Sequence, residues 1–327
     1  MDLSVVFLGT GGSVPSARRA TACVLIRSGG SRILVDAGEG AQRQMINSTG
    51  LVQVDELYIT HFHADHYLGL PGLLKTYDLL ERQRPLRIIG PVGLIGLFDA
   101  LRRIFGRLRY EIELVELGPG DAVEHEGFVI SAFAVEHRMK ALGYAYVEPE
   151  RPGRFDVEAA RSLGVADARD YGRLQRGETV SVDGSDVRPE QVLGEPRQGR
   201  KVVITGDTAP CEMTRVAAHA AQLLVHDGTF AVEESARAGD TGHSTARDAA
   251  QLAVDAEVAM LAIVHVSSRY NVSRVLDEAR QIFRDTVAPR DFDLVEIPFP
   301  ERGGPELIQD GARHRPEPQA EPAPIPD

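Results

Sequence analysis

The run Thr60-His61-Phe62-His63-Ala64-Asp65-His66 constrains this chain more than any other feature, because it packs three imidazoles and a carboxylate into six residues. Imidazole nitrogen and carboxylate oxygen are the ligands that suit zinc. The run follows Glu56–Thr60, a short β-branched and aromatic segment that reads as a strand. In an extended loop His61 and His63 project to one side and can share an ion. Asp65 and His66, past a turn, can then serve a second ion. An isolated histidine would read as a core or surface residue, but four potential ligands at this spacing read as a metal site.

Such a site needs more ligands, and other strand ends supply them. His137 closes the apolar run Phe128–Val135, Asp207 stands in Ile204-Thr205-Gly206-Asp207-Thr208, and His265 closes Met260–Val264. Each follows an apolar stretch, so each is expected at one edge of a buried sheet, where α/β folds carry their functional groups. Further strands are expected at Leu3–Gly9, Cys23–Arg27, Arg32–Asp36, Leu86–Ile89, Ile112–Leu117, Lys201–Thr205 and Leu223–His226. Helices are expected over Gly38–Asn47, Leu68–Glu81, Gly93–Phe105, Glu212–Ala220, Ala246–Asp255 and Ser273–Phe283. Strands alternating with helices in both halves predict an α/β sandwich with its sheets inside.

At 327 residues the chain can bury a large core, and 43% hydrophobic with 26% charged residues describes a soluble globular enzyme. No apolar run is long enough to span a bilayer. The two cysteines, Cys23 and Cys211, lie far apart, and a reducing cytoplasm is expected. A net charge of −12 argues against a general nucleic-acid coat. One local exception stands out: Arg82, Arg84, Arg87, Arg102, Arg103, Arg107 and Arg109 face a single acid, Asp99, within their stretch. That cluster reads either as a solvated helix face or as a phosphate-binding surface. The segment 148–199 is rich in Pro, Gly and charge and poor in apolar runs, so it reads as an insertion. Five prolines between Arg313 and Asp327 mark a disordered tail, leaving 1–312 as the folded domain.

The pattern His-x-His-x-Asp-His, then a single His, a Gly-Asp and a final His, resembles the metallo-β-lactamase superfamily. The resemblance implies a four-layer αββα sandwich and two zinc ions per subunit. His61, His63 and His137 would hold one zinc, Asp65, His66 and His265 the other, and Asp207 would bridge them. Within the superfamily, Phe7-Leu8-Gly9-Thr10-Gly11, Val35-Asp36-Ala37-Gly38-Glu39-Gly40-Ala41-Gln42, Gly69-Leu70-Pro71-Gly72-Leu73-Leu74, His243-Ser244-Thr245 and His265-Val266-Ser267-Ser268-Arg269-Tyr270 resemble ribonuclease Z, which trims the 3′ trailer from precursor tRNA. Segment 148–199 is similar to that family's flexible arm, an exosite that grips tRNA. The N-terminal loop Pro15-Ser16-Ala17-Arg18-Arg19-Ala20 departs from the family's Pro-x-Lys-x-Arg-Asn and keeps only Arg19. The arm lacks the usual Gly-Pro, and Asp227 stands where the family usually has Glu.

The resemblance implies a homodimer acting on precursor tRNA in the cytoplasm, with no membrane attachment. Asp65 would be both ligand and general base, His243 would donate a proton to the leaving 3′-oxygen, and Arg269 and Arg19 would bind substrate. Asp36 and His226 are expected to support the ligands from behind. His125 is expected to lie solvated in a turn, and His219 to be partly buried on a helix. A two-zinc hydrolase of a small phosphodiester or sulfate ester is the alternative.

Overall fold

A computed structural model describes residues 2–312 of the chain; the proline-rich stretch from Arg313 lies outside the described residues. The first half builds one sheet. Its strands are β1 (Leu3–Gly9), β2 (Cys23–Ser28), β3 (Ser31–Val35), β4 (Glu56–Tyr58), β5 (Leu86–Pro91) and β6 (Ile112–Leu117). The connecting helices are α1 (Ala41–Asn47), α2 (Ala64–Tyr67), α3 (Leu70–Leu79) and α4 (Leu94–Phe105). Strands β1 to β3 form an antiparallel meander, and β3 to β6 run parallel with helical crossovers.

The second sheet starts with β7 (Ala122–His125), β8 (Phe128–Ala134) and β9 (Leu142–Val147). The insertion follows, carrying α5 (Val157–Ser162), α6 (Ala168–Gln175) and the hairpin β10 (Val180–Val182) with β11 (Ser185–Val187). The chain returns through β12 (Lys201–Ile204), α7 (Glu212–Ala218), β13 (Leu223–Asp227), α8 (Ser235–Thr241), α9 (Ala246–Asp255), β14 (Met260–Val264), α10 (Val272–Arg280) and β15 (Thr286–Val287). Two last strands, β16 (Leu294–Glu296) and β17 (Glu306–Ile308), join the first sheet beside β1. The orders are β17-β16-β1-β2-β3-β4-β5-β6 and β15-β14-β13-β12-β9-β8-β7.

Side-chain alternation explains the layers. In β1, Leu3, Val5 and Phe7 pack between the sheets while Val6 and Leu8 pack under α1, α3 and α4. A strand covered on both faces reads as a continuous apolar run, as β1 does. In β13, Leu223 and Val225 face the other sheet and Leu224 faces α7, α9 and α10. Two sheets with helices outside each make the expected four-layer αββα sandwich. Helix ends carry local signals: Thr245 and Asp248 form a reciprocal capping box on α9, and Pro71 sits in the first turn of α3.

Three sequence expectations need correction. The insertion has its own small core, in which Ala160, Val165, Leu174, Val180, Val187 and Val192 are buried. These apolar residues are spread singly along two helices, a hairpin and the loops beside them, so no long run betrays them. His125 is not a solvated turn residue; it ends β7, stacks on Phe128 with ring centroids 4.4 Å apart, and places Nε2 3.3 Å from Glu56 Oε2. His219 is exposed, because it caps α7 beyond the last buried alanine. Among the described residues no helix is long and apolar enough to cross a membrane.

The candidate metal centre

Parallel strands bring the functional side chains together. Asp36 follows β3, the histidine-rich loop follows β4, Asp207 follows β12, Asp227 ends β13 and His265 follows β14. All lie at the carboxyl ends of parallel strands, the edge where open α/β sheets place ligand sites. His137 enters from the turn between β8 and β9.

Two groups of ligand atoms form there. His61, His63, His137 and Asp207 make one group, Asp65, His66 and His265 another, with each group's atoms within 4.8 Å of one another. His61 Nε2 lies 3.0 Å from His63 Nδ1, which is 3.2 Å from His137 Nε2. Asp207 stands between the groups: Oδ2 is 3.7 Å from His61 Nε2 and 3.3 Å from His265 Nε2, and Oδ1 is 3.4 Å from His66 Nε2. Gly206 makes this approach possible. Its φ is +64°, and a Cβ there would sit 2.8 Å from the Thr60 Cβ. Gly12 likewise lets the N-terminal loop pass the His265 ring, since a Cβ would lie 2.8 Å from Nδ1.

Hydrogen bonds from behind decide which imidazole nitrogen faces the centre. His66 Nδ1 donates to Asp36 Oδ2 at 2.7 Å, and His137 Nδ1 donates to the Gly242 carbonyl at 2.7 Å. Thr60 gives its hydroxyl proton to Asp36 and can accept from His61 Nδ1 at 3.1 Å. Thr229 gives its hydroxyl proton to Asp227 and accepts from His265 Nδ1 at 2.8 Å. Four imidazoles therefore turn Nε2 inward, the arrangement that metal-binding histidines adopt. His66 Nε2 is buried without a hydrogen-bond partner, a costly state for a polar atom. That orphan, the converging lone pairs and the mixed nitrogen and oxygen donor set together fit two divalent cations.

Burial and the carboxylate charges act on the ligand imidazoles in opposite directions. Burial drives His61 well below the usual imidazole range, aided by His66, so it stays a neutral donor. Burial opposes ionisation of Asp207, but His265, His66 and His61 outweigh it and hold the carboxylate well below its ordinary value. Asp65 is also held low, where His265 and His66 overcome burial. Burial lowers His265, but Asp207 and Asp65 outweigh it and push it up to about 9, so its Nε2 holds a proton that a cation would displace. Asp65 Oδ2 accepts a further bond from the Ser13 backbone N–H at 2.9 Å.

Next to the centre, His243 Nδ1 donates to Asp227 Oδ2 at 2.7 Å, and its ring stacks on His265 at 5.3 Å. Asp227 also accepts from Thr208 N, Thr229 N and Thr229 Oγ1. Four hydrogen bonds saturate its lone pairs. Asp227 therefore holds His243 rather than acting as a metal ligand, although Asp207, Asp227, His243 and His265 lie close enough to form a group. Its position was open to the same strand-end reasoning that found His265, since it closes Leu223–His226. His226 itself, expected behind the ligands, alternates to the helix-facing side of β13, and its Nε2 is buried without a partner.

Each of the two arginines expected at the substrate has its Nη1 engaged within the fold. Arg19 Nη1 donates to Thr10 Oγ1 at 2.6 Å and to the Pro289 carbonyl at 2.9 Å. Arg269 Nη1 lies 3.4 Å from Glu234 Oε1 at the surface.

Residues 17–131 match the model of the metallo-β-lactamase superfamily. The chain is 44% identical over 303 residues to a ribonuclease Z of Methanosarcina acetivorans, covering 91% of this chain and 99% of that protein. It is 44% identical to a ribonuclease Z of Haloferax volcanii, covering 93% and 98%. Among solved structures, the short form of human tRNase Z superposes with a TM-score of 0.65 at 26% identity, covering 90% of this chain and 99% of that one. The chain belongs to the ribonuclease Z family of the metallo-β-lactamase superfamily.

Proposed function

We propose that the protein is an endoribonuclease that removes the 3′ trailer from precursor tRNA by hydrolysis of one phosphodiester, leaving a 3′-hydroxyl. In this reading it acts as a cytoplasmic homodimer with two zinc ions per subunit, and segment 148–199 contacts the tRNA body. The observation that carries the reading is a complete ligand set beside a hydrogen-bonded His243–Asp227 pair, in a chain alike over nearly its whole length to ribonuclease Z proteins.

His61, His63 and His137 would hold one cation and Asp65, His66 and His265 the other, with Asp207 able to serve both. Cations bound there would supply a more acidic water and positive charge beside the phosphoryl oxygens. Asp65 remains ionised, so it accepts a hydrogen bond from the attacking water and orients it, its direction set by Ser13 N–H. A carboxylate held so low is a poor store for a proton, and orientation is its larger contribution. His243 supplies the opposite function. Burial lowers its affinity for a proton, but the hydrogen bond and charge of Asp227 more than compensate and raise it. With Nδ1 committed to Asp227, Nε2 carries the proton that passes to the departing 3′-oxygen.

The test is cleavage of a precursor tRNA bearing a 3′ trailer by zinc-loaded protein, with Asp65→Ala and hydrolysis of bis-(p-nitrophenyl) phosphate in parallel. A cut after the discriminator base, lost in the variant, supports the reading. Turnover of the small diester with intact precursor sinks it in favour of a small-molecule diesterase.

A further inference from the structure

The seven arginines between residues 82 and 109 separate into two groups. Arg82 is buried and donates to the carbonyls of Val54, Arg84 and Pro85. Arg84 pairs with Asp55, Arg87 with Glu56 and Glu113, and Arg109 with Asp78. These four hold the fold together. Arg102, Arg103 and Arg107 are exposed, and none of them forms an ion pair among the described residues. They lie in the last turn of α4 and the loop just after it. The one acid of this stretch, Asp99, sits a turn earlier.

We infer that this end of α4 is a docking surface for the phosphate backbone of the RNA substrate, at a distance from the scissile bond. The inference rests on the RNA substrate proposed above and adds where a second part of that RNA lies. Position is the first argument. Helix α4 begins beside the histidine-rich loop, since a Cβ on its N-cap Gly93 would lie 3.1 Å from the ring of Phe62, which stands between His61 and His63 in sequence. A rise of about 1.5 Å per residue sets Arg102 roughly 14 Å along the helix from Gly93. RNA held at the centre reaches that far within a few nucleotides.

Charge is the second argument. Cations in a last turn gain from the helix dipole, which accounts for Arg102 and Arg103 but not for Arg107 beyond the helix. Exposed arginines without an ion pair occur elsewhere, at Arg43, Arg138 and Arg247 for example, but three within six residues form a local cluster in a chain of net charge −12 that phosphates would neutralise. A symmetric contact between two copies centred here would oppose two such groups, with only Asp99 to offset them.

The test uses the triple variant R102Q/R103Q/R107Q in zinc-loaded, full-length protein. Precursor tRNA binding by anisotropy and cleavage kinetics are measured between 50 and 200 mM salt, conditions we choose to span the screening range. Each phosphate contact contributes about 0.7–0.9 to the slope of log affinity against log salt. The variant should therefore show a slope shallower by about 2–3, weaker binding at low salt and a raised KM, with kcat and bis-(p-nitrophenyl) phosphate turnover unchanged. An unchanged salt slope would overturn the inference. So would conversion of a dimer to monomers by sedimentation with per-subunit KM intact, which would make this face a contact between copies. Failure of the wild-type protein to cleave the precursor would count against the proposed activity instead, because the binding slope is read without turnover.

Discussion

Asp227 Oδ2 and His243 Nδ1 form a 2.7 Å charge-assisted hydrogen bond beside the metal centre, and the same carboxylate governs His265 through Thr229. One buried acid thus sets the proton on a neighbouring imidazole and the tautomer of a ligand. Asp227→Asn keeps the shape but removes the charge. Partners of this kind are worth about 10- to 100-fold in activity or metal affinity. The pH profile separates the two effects. In the proposed donor role His243 acts while protonated, and its proton affinity is raised, so the acid form persists above the ordinary value near 6.5. In the variant it falls back, and the alkaline decline of kcat/KM should begin at lower pH. An alkaline limb that stays in place would remove His243 from the proton-donor role.

Asp36 should matter to metal retention more than to chemistry. It lies behind His66, has a positive φ of 59°, and gathers Thr60 N–H, the Thr60 hydroxyl and His66 Nδ1–H. Asp36→Ala frees the His66 ring to rotate and release Nε2 from the centre. The expected loss is about 10- to 100-fold in metal affinity, measured by competition with a chelator of known strength. Chelation of the wild-type protein should also lower its thermal midpoint, because a ligand at a hundredfold excess over its Kd stabilises the folded state by about 2.7 kcal/mol. A midpoint indifferent to chelation would show that these side chains do not hold cations.

Much of this centre was legible because its residues follow a local rule: ligands close apolar strands, and the His61–His66 loop is contiguous. His137, Asp207 and His265 each obey it. Long-range pairing was not legible. Nothing near Asp227 in sequence indicates that its partner lies 16 residues on, and alternation put His226 and Asp227 on opposite faces of β13 without saying which face meets the ligands. Arg19 shows another limit. Its match to a family loop suggested substrate contact, and no sequence signal showed that its Nη1 binds Thr10 and Pro289 and ties that loop to the fold. The small core of segment 148–199 escaped notice because its buried residues are mostly Val and Ala, each isolated among charges.

Far from the metals, Glu56 bridges the two sheets. It accepts from Tyr58 at 2.8 Å and Arg87 at 2.6 Å, and faces His125 on β7. Burial favours its neutral form, but His125, Tyr58 and Arg87 outweigh burial and hold its carboxyl below the ordinary value. A depressed carboxyl contributes stability that is present above the unfolded value, about 4.3, and is lost as pH falls through the folded value. Wild-type protein should therefore lose thermal stability more steeply than Glu56→Gln between pH 5 and roughly 3. Metal loss in acid is common to both proteins, so the difference reports Glu56. Parallel declines would mean that its charge contributes nothing.

The neck of the insertion offers the largest expected effect on stability. Arg200 is buried and donates to Glu148 at 2.6 and 2.8 Å and to the Ile297 carbonyl. The ring of Phe299 lies between two guanidiniums, 3.6 Å from Arg151 and 4.1 Å from Arg200. Glu301 then joins Arg151 and Arg197, so both chain crossings at the neck are tied to one C-terminal segment. Arg200→Met keeps apolar bulk but strands Glu148 without its partner. Breaking a buried pair from one side costs about 3–5 kcal/mol, whereas replacing both members is far milder. Urea unfolding should show a large loss for Arg200→Met and recovery of much of it in Arg200→Met/Glu148→Gln. If the double variant is no more stable than the single one, the loss comes from the Phe299 stack and the Ile297 bond instead of the stranded carboxylate.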